Sequence, residues 1–184
     1  MFNDRKVAQM AAYFVQCEDG RIALLKLMKL LYLAERESLK RYGMPMTGDR
    51  MVSMDYGPVL SNTLNLANGA AIASVEGGWD SWISPKQGYD ILLARKVCDE
   101  DFDELSKADR DILEYVWAKF GDLDEWKISD FTHTLPEWKD PQGTSLPIAY
   151  KDVFLALGYE EEQACELSRE IEKDKDIDRI LQSL

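Results

Sequence analysis

Residues 21–42 constrain this chain more than any other stretch. They read Arg-Ile-Ala-Leu-Leu-Lys-Leu-Met-Lys-Leu-Leu-Tyr-Leu-Ala-Glu-Arg-Glu-Ser-Leu-Lys-Arg-Tyr, with Gly43 behind them. At 100° per residue, Lys26, Lys29, Arg36 and Lys40 fall in one narrow stripe. Leu, Ile, Met, Ala and Tyr take most of the remaining circumference over the first five turns. A helix that is apolar nearly all round must be packed on several sides. The expectation is therefore one helix over 21–42 at the centre of a mainly α-helical, single compact domain.

The flanking segments supply packing partners. A first helix starts at Asn3 or Asp4 as N-cap, runs through Val7, Met10, Ala11 and Phe14, and stops at Gly20. After the central helix, residues 44–49 read as a turn and 50–55 as a short strand. Tyr56-Gly57-Pro58-Val59 is expected to open another helix, with Pro58 in its first turn, where the missing N–H costs nothing. Leu60, Leu64 and Ala67 give that helix an apolar side, and Asn68-Gly69 ends it.

Residues 70–98 read as irregular or β-rich, and a small sheet or hairpin using 50–55 and 88–97 is a possible addition. Ser106-Lys-Ala-Asp109 resembles a capping box and introduces a helix through Ile112, Val116 and Phe120. Asp124 caps a further helix across Trp126, Ile128 and Phe131. Residues 149–157 form another, and a charged helix with Ala164, Leu167 and Ile171 as its apolar line follows Glu160.

Charge is distributed unevenly. Residues 1–97 carry 12 Lys+Arg and 10 Asp+Glu, while residues 98–184 carry 10 and 24, so the net of −12 comes from the second half. Such a surface repels phosphate backbones, and no direct nucleic-acid partner is expected. The acidic half suits a basic protein partner or is simply a solvated face. No run approaches the roughly 18 apolar residues that span a bilayer. Residues 1–6 do not read as a signal peptide, and no membrane partner is expected. Cys17, Cys98 and Cys165 are odd in number and widely spaced, as expected of reduced thiols in a cytoplasmic protein.

The search for chemistry finds little. The single histidine, His133, has no local nucleophile signature beside it, so a small enzyme built on it is the weakest of the readings. Asp99-x-Asp101-x-Asp103 and Asp174-x-Asp176-x-Asp178 fail as calcium loops because Glu104 and Arg179 stand where glycine is required. No Gly-rich phosphate loop is present. No catalytic residues, no metal and no cofactor are expected. The basic stripe of Lys26, Lys29 and Arg36 is free to meet the acidic half in cis or an acidic partner in trans. Tyr56 and Trp138 are residue types that either anchor interfaces or fill cores.

Lys26-Leu-Met-Lys-Leu-Leu-Tyr-Leu-Ala34, then Tyr56-Gly-Pro-Val59, then Val116-Trp117, Gly121, Phe131-Thr-His133 and Trp138, together resemble the Panacea domain, also called the SocA-like antitoxin domain. The resemblance covers roughly residues 5–157. It departs from the family pattern at Met28, where the family usually has Gln, at Met54, where it often has Trp, and at Glu137, which separates Pro136 from Trp138. It divides the chain into a domain at 1–158 and an acidic helical extension at 159–184. It implies a small, mostly helical fold found in bacteria and their phages, often as a phage-associated protein. It also implies an antitoxin of a toxin–antitoxin system that binds and neutralises a cognate toxin. The alternative implied activity is that of an adaptor delivering a client to a cytoplasmic protease. The partner-binding candidates are Lys26, Lys29, Arg36, Tyr56, Gly57, Pro58, His133 and Trp138.

Overall fold

In the computed structural model, which describes residues 2–70 and 75–182 with side chains to 177, Asn3 caps the first helix, α1 (Asp4–Cys17), by accepting from the Lys6 N–H at 3.0 Å. Its buried line is the expected one: Val7, Met10, Ala11 and Phe14 are all inaccessible. Gly20, at φ +91°, turns the chain out of the helix.

The central helix begins later than expected. Arg21–Ala23 is a strand, β1, and α2 spans Leu24–Tyr42. β1 pairs antiparallel with a distant strand at Asp90–Leu92, which sets the buried Ile22 opposite the buried Ile91. Three residues cannot distinguish a helical from an extended period, and this long-range pairing settled the matter. From Lys26 to Glu35 every residue of α2 is buried. The helix packs against α1 and β1 and against five elements that follow it in the chain. Its end is a left-handed Gly43, whose N–H returns to the Leu39 carbonyl at 3.0 Å.

A second correction concerns Tyr56-Gly57-Pro58-Val59, which does not open a helix. Met51–Met54 (β2) and Gly57–Leu60 (β3) form an antiparallel hairpin in the register Met51↔Leu60 to Met54↔Gly57, with Asp55 and Tyr56 as its two-residue tip. Proline fixes φ at a value extended backbone also uses, so Pro58 fits opposite Ser53. The helix starts only at Ser61 (α3, Ser61–Ala67). Asp49, from the loop before the hairpin, reaches over to accept from the Asn62 and Thr63 N–H groups and so caps α3 from outside it.

Residues 50–55 and 88–97 are not partners in one sheet, which is a third correction. The strand at Asp90–Leu92 (β4) pairs with β1, while β2 is flanked by β3 and by the two-residue strand Leu146–Pro147 (β5). Between them, Trp79–Trp82 is a short helix (α4) that buries both tryptophans against α1, with Asp4 accepting from the Trp79 N–H at 2.9 Å. The expected irregular stretch 70–98 includes residues 71–74, which lie outside the described residues.

The second half follows its caps. Ser106 and Asp109 form the reciprocal capping box at the start of α5 (Lys107–Phe120), so Asp serves where Glu is commoner. Asp124 accepts from Trp126 and Lys127 N–H groups at the start of α6 (Glu125–His133). After α7 (Tyr150–Ala156) the chain ends in the long α8 (Glu161–Gln182), which lays Ala164 and Ile171 against the body. The protein is mainly α-helical with a minor strand content in two small sheets.

A hairpin tip clamped by the sixth helix

Three segments far apart in sequence converge on the β2–β3 tip. Its carbonyls are held one after another by side chains of other elements. Trp138 donates its indole N–H to Met54 O at 3.1 Å, and His133 Nε2 lies 3.0 Å from Asp55 O. Ser129 Oγ donates to Tyr56 O at 2.8 Å, and Lys29 Nζ donates to Pro58 O at 3.0 Å. A carbonyl only accepts, so His133 must carry its proton on Nε2. That ring also packs edge-on against Trp138 at 4.4 Å between centroids. Asp55 closes the other side by accepting from the Gly143 N–H at 2.9 Å.

Gly57 is where this clamp is tightest. Its φ is +95°, and a Cβ there would press into Thr132 Oγ1 and stand 3.1 Å from Lys29 Nζ. Glycine is therefore required twice, by backbone conformation and by the approach of α2 and α6. Lys29 itself is fully buried with the Pro58 carbonyl as its acceptor. Burial away from water lowers its ammonium from the ordinary 10.5 to about 7.

The other two basic residues of the stripe are also engaged in cis. Lys26 is held by Glu18 at 2.6 Å and the Gly121 carbonyl at 2.8 Å, over the Trp117 ring. Arg36 binds Glu137 through Nε at 2.6 Å, and the buried Glu137 also accepts from the Tyr32 hydroxyl at 3.0 Å. Burial first, and then this carboxylate, push the Tyr32 phenol well above its ordinary value. Glu137, which separates Pro136 from Trp138, is thus the residue that ties the segment before Trp138 to α2. On the far side of α2, Glu35 accepts from the Met46 and Thr47 N–H groups at 3.1 and 3.0 Å. Among the described residues its other oxygen has no hydrogen-bond partner, and burial raises its carboxyl to about 7.

The clamp leaves one side chain outside. Tyr56 is 61% exposed, and its ring meets that of Trp126, 59% exposed, edge-to-face at 6.1 Å. Pro58, Gly57, Lys26 and Lys29 are buried. Arg36, His133 and Trp138 are half-buried, and their polar groups engage the hairpin or Glu137. Of the candidate residues, then, the structure brings Lys29, Tyr56, Gly57, Pro58, His133 and Trp138 into one assembly. It places Lys26 and Arg36 at separate contacts of α2. Sequence reasoning passed over Trp126, Ser129 and Thr132 as partners of that assembly. Trp126 was legible as an apolar residue in the first turn of an acid-capped helix, but its exposure was not.

A profile of the family described as antitoxin SocA-like, Panacea domain, matches residues 27–139. That span runs from the buried part of α2 through the hairpin to the end of the Trp138 segment, and so includes the four side chains that hold the hairpin carbonyls, with Gly143 beyond it. Comparison with curated proteins and with solved structures finds no match. The chain belongs to the SocA-like antitoxin family, and residues 27–139 are its Panacea domain.

Proposed function

We propose that this protein is an antitoxin that neutralises a cognate toxin by direct protein–protein binding in the cytoplasm, and that the toxin docks on the hairpin tip. The observation that carries the reading is the clamp itself. Four carbonyls of the hairpin are tied to α2, α6 and Trp138, yet the tyrosine at its tip faces outward beside Trp126. A rigid, exposed aromatic pair loses little entropy on being covered, which is what a binding anchor requires. The family membership supports the antitoxin part of the reading. Residues 159–184 are an extension to the domain, lying beyond the family match.

The test uses the product of the adjacent gene as toxin. Tyr56→Ala and Trp126→Ala should each weaken its binding by about 2 kcal/mol or more, the usual hot-spot threshold. Because both side chains are exposed, each substitution should change folding stability by no more than about 0.5 kcal/mol. Variants that melt normally and still rescue toxin-expressing cells would place the toxin elsewhere. Measuring toxin level alongside toxin activity separates blocking, which lowers activity alone, from delivery to a protease, which lowers both.

A further inference from the structure

Several rings of this protein carry a cation from its own chain. Lys26 stands over Trp117, Arg95 over Trp82, Arg41 over Tyr115 and Lys175 over Tyr150, with nitrogen or guanidinium carbon 4.4–5.3 Å from the ring centre. Among the described residues, the Tyr56–Trp126 pair has none. Tyr42 and Tyr89 are exposed without a cation too, but each stands singly rather than as a pair.

The surroundings of the pair are acidic. Asp130 follows Trp126 by one helical turn on α6, so the two side chains are neighbours on one face. The Asp130 side chain is exposed and, among the described residues, makes no hydrogen bond or ion pair. The one cation of α6, Lys127, points its ammonium to Asp124 at 3.0 Å.

We infer that the Tyr56–Trp126 corner with Asp130 is a receptor for an arginine side chain presented by the protein partner. A guanidinium lies flat on an indole face within about 6 Å of its centre, and its N–H fork fits a carboxylate in the same plane. The corner offers both surfaces one helical turn apart. Lysine, a compact and strongly hydrated point charge, uses only one of them well. This deepens the docking reading above and rests on it for the identity of the partner, though the receptor itself is tested without the toxin.

The probe is a blocked five-residue peptide with one central arginine, compared with its lysine and citrulline counterparts. Citrulline keeps the shape and removes the charge. The five tryptophan indole N–H resonances are followed by NMR in the full chain, with that of Trp126 assigned from Trp126→Phe. A saturable shift confined to the Trp126 resonance is expected for arginine, at least fivefold weaker for lysine and absent for citrulline. Asp130→Asn should weaken the arginine effect at least fivefold while leaving the melting temperature unchanged. Equal shifts with citrulline, shifts at other indoles only, or an Asp130→Asn protein that responds like the parent each overturn the inference. Toxin rescue then separates the two readings. Loss of rescue in both Tyr56→Ala and Asp130→Asn supports the arginine receptor. Loss in Tyr56→Ala with full rescue in Asp130→Asn removes it and leaves the docking surface standing. Full rescue in both removes both.

Discussion

Gly57→Ala puts the geometry of the clamp to its hardest test, because two separate penalties act on one methyl group. The first is conformational. At φ +95° an L-residue is strained, at about 1–3 kcal/mol. The second is steric. The added Cβ would invade Thr132 Oγ1, a buried side chain that donates to the Ser129 carbonyl at 2.8 Å and so cannot swing away freely. Overpacking of this kind costs about 1–3 kcal/mol. The single variant should therefore lose about 2–6 kcal/mol by urea denaturation. Thr132→Ala alone should lose about 1 kcal/mol for its hydrogen bond, with a little more for packing. The double variant should be more stable than the sum of the two losses by about 1–3 kcal/mol, since the oxygen that the new methyl meets has gone. What remains of the Gly57→Ala cost in the Thr132→Ala background is the backbone strain together with the close approach to Lys29 Nζ. Additivity within about 0.5 kcal/mol would show that Thr132 is not the obstacle. A single-variant loss below about 1 kcal/mol would be too small for even the lower bound of strain and would refute the positive-φ turn itself.

Two buried groups should give stability an unusual pH profile. Lys29 titrates near 7 when folded against 10.5 ordinarily. Between those values the unfolded chain holds a proton the folded protein lacks, and stability rises with pH by at most about 1.4 kcal/mol per unit. Glu35, raised from 4.5 to about 7, has the opposite slope, so stability falls as pH rises from 4.5 to 7. Lys29→Met should flatten the rise in melting temperature above pH 7, and Glu35→Gln the fall below it; unchanged slopes would contradict the burial of these charges. Glu137→Ala should cost about 3 kcal/mol by denaturant titration, since it strands Arg36 and the buried Tyr32 hydroxyl, and a loss under 1 kcal/mol would mean that water replaces the carboxylate. With a net charge of −12, the protein alone should show no sub-micromolar, salt-sensitive affinity for random duplex DNA in a filter or anisotropy assay.

Local signals in this sequence were enough to place most of the helices. Asn3, Ser106 and Asp124 announce their caps by residue type, because the hydrogen bonds they make close within three residues. The burial of α2 was likewise legible, since a stretch apolar on almost every side has no exposed orientation to choose. The family motifs were readable as strings, but not as one object.

Contacts between residues distant in the chain decided the rest. Arg21–Ala23 became a strand because Asp90–Leu92 lay across from it, and Gly57–Leu60 became a strand because Met51–Met54 did. A proline beside a glycine is compatible with either a helix start or a strand, and only the partner backbone chooses. The fates of the lysines and tyrosines were also tertiary. Lys29 and Tyr56 carry no local mark saying which will be sealed in and which left in water. The packing of α6 onto the hairpin leaves the cation under the turn and the tyrosine facing outward, with the turn's orientation held by four carbonyl hydrogen bonds.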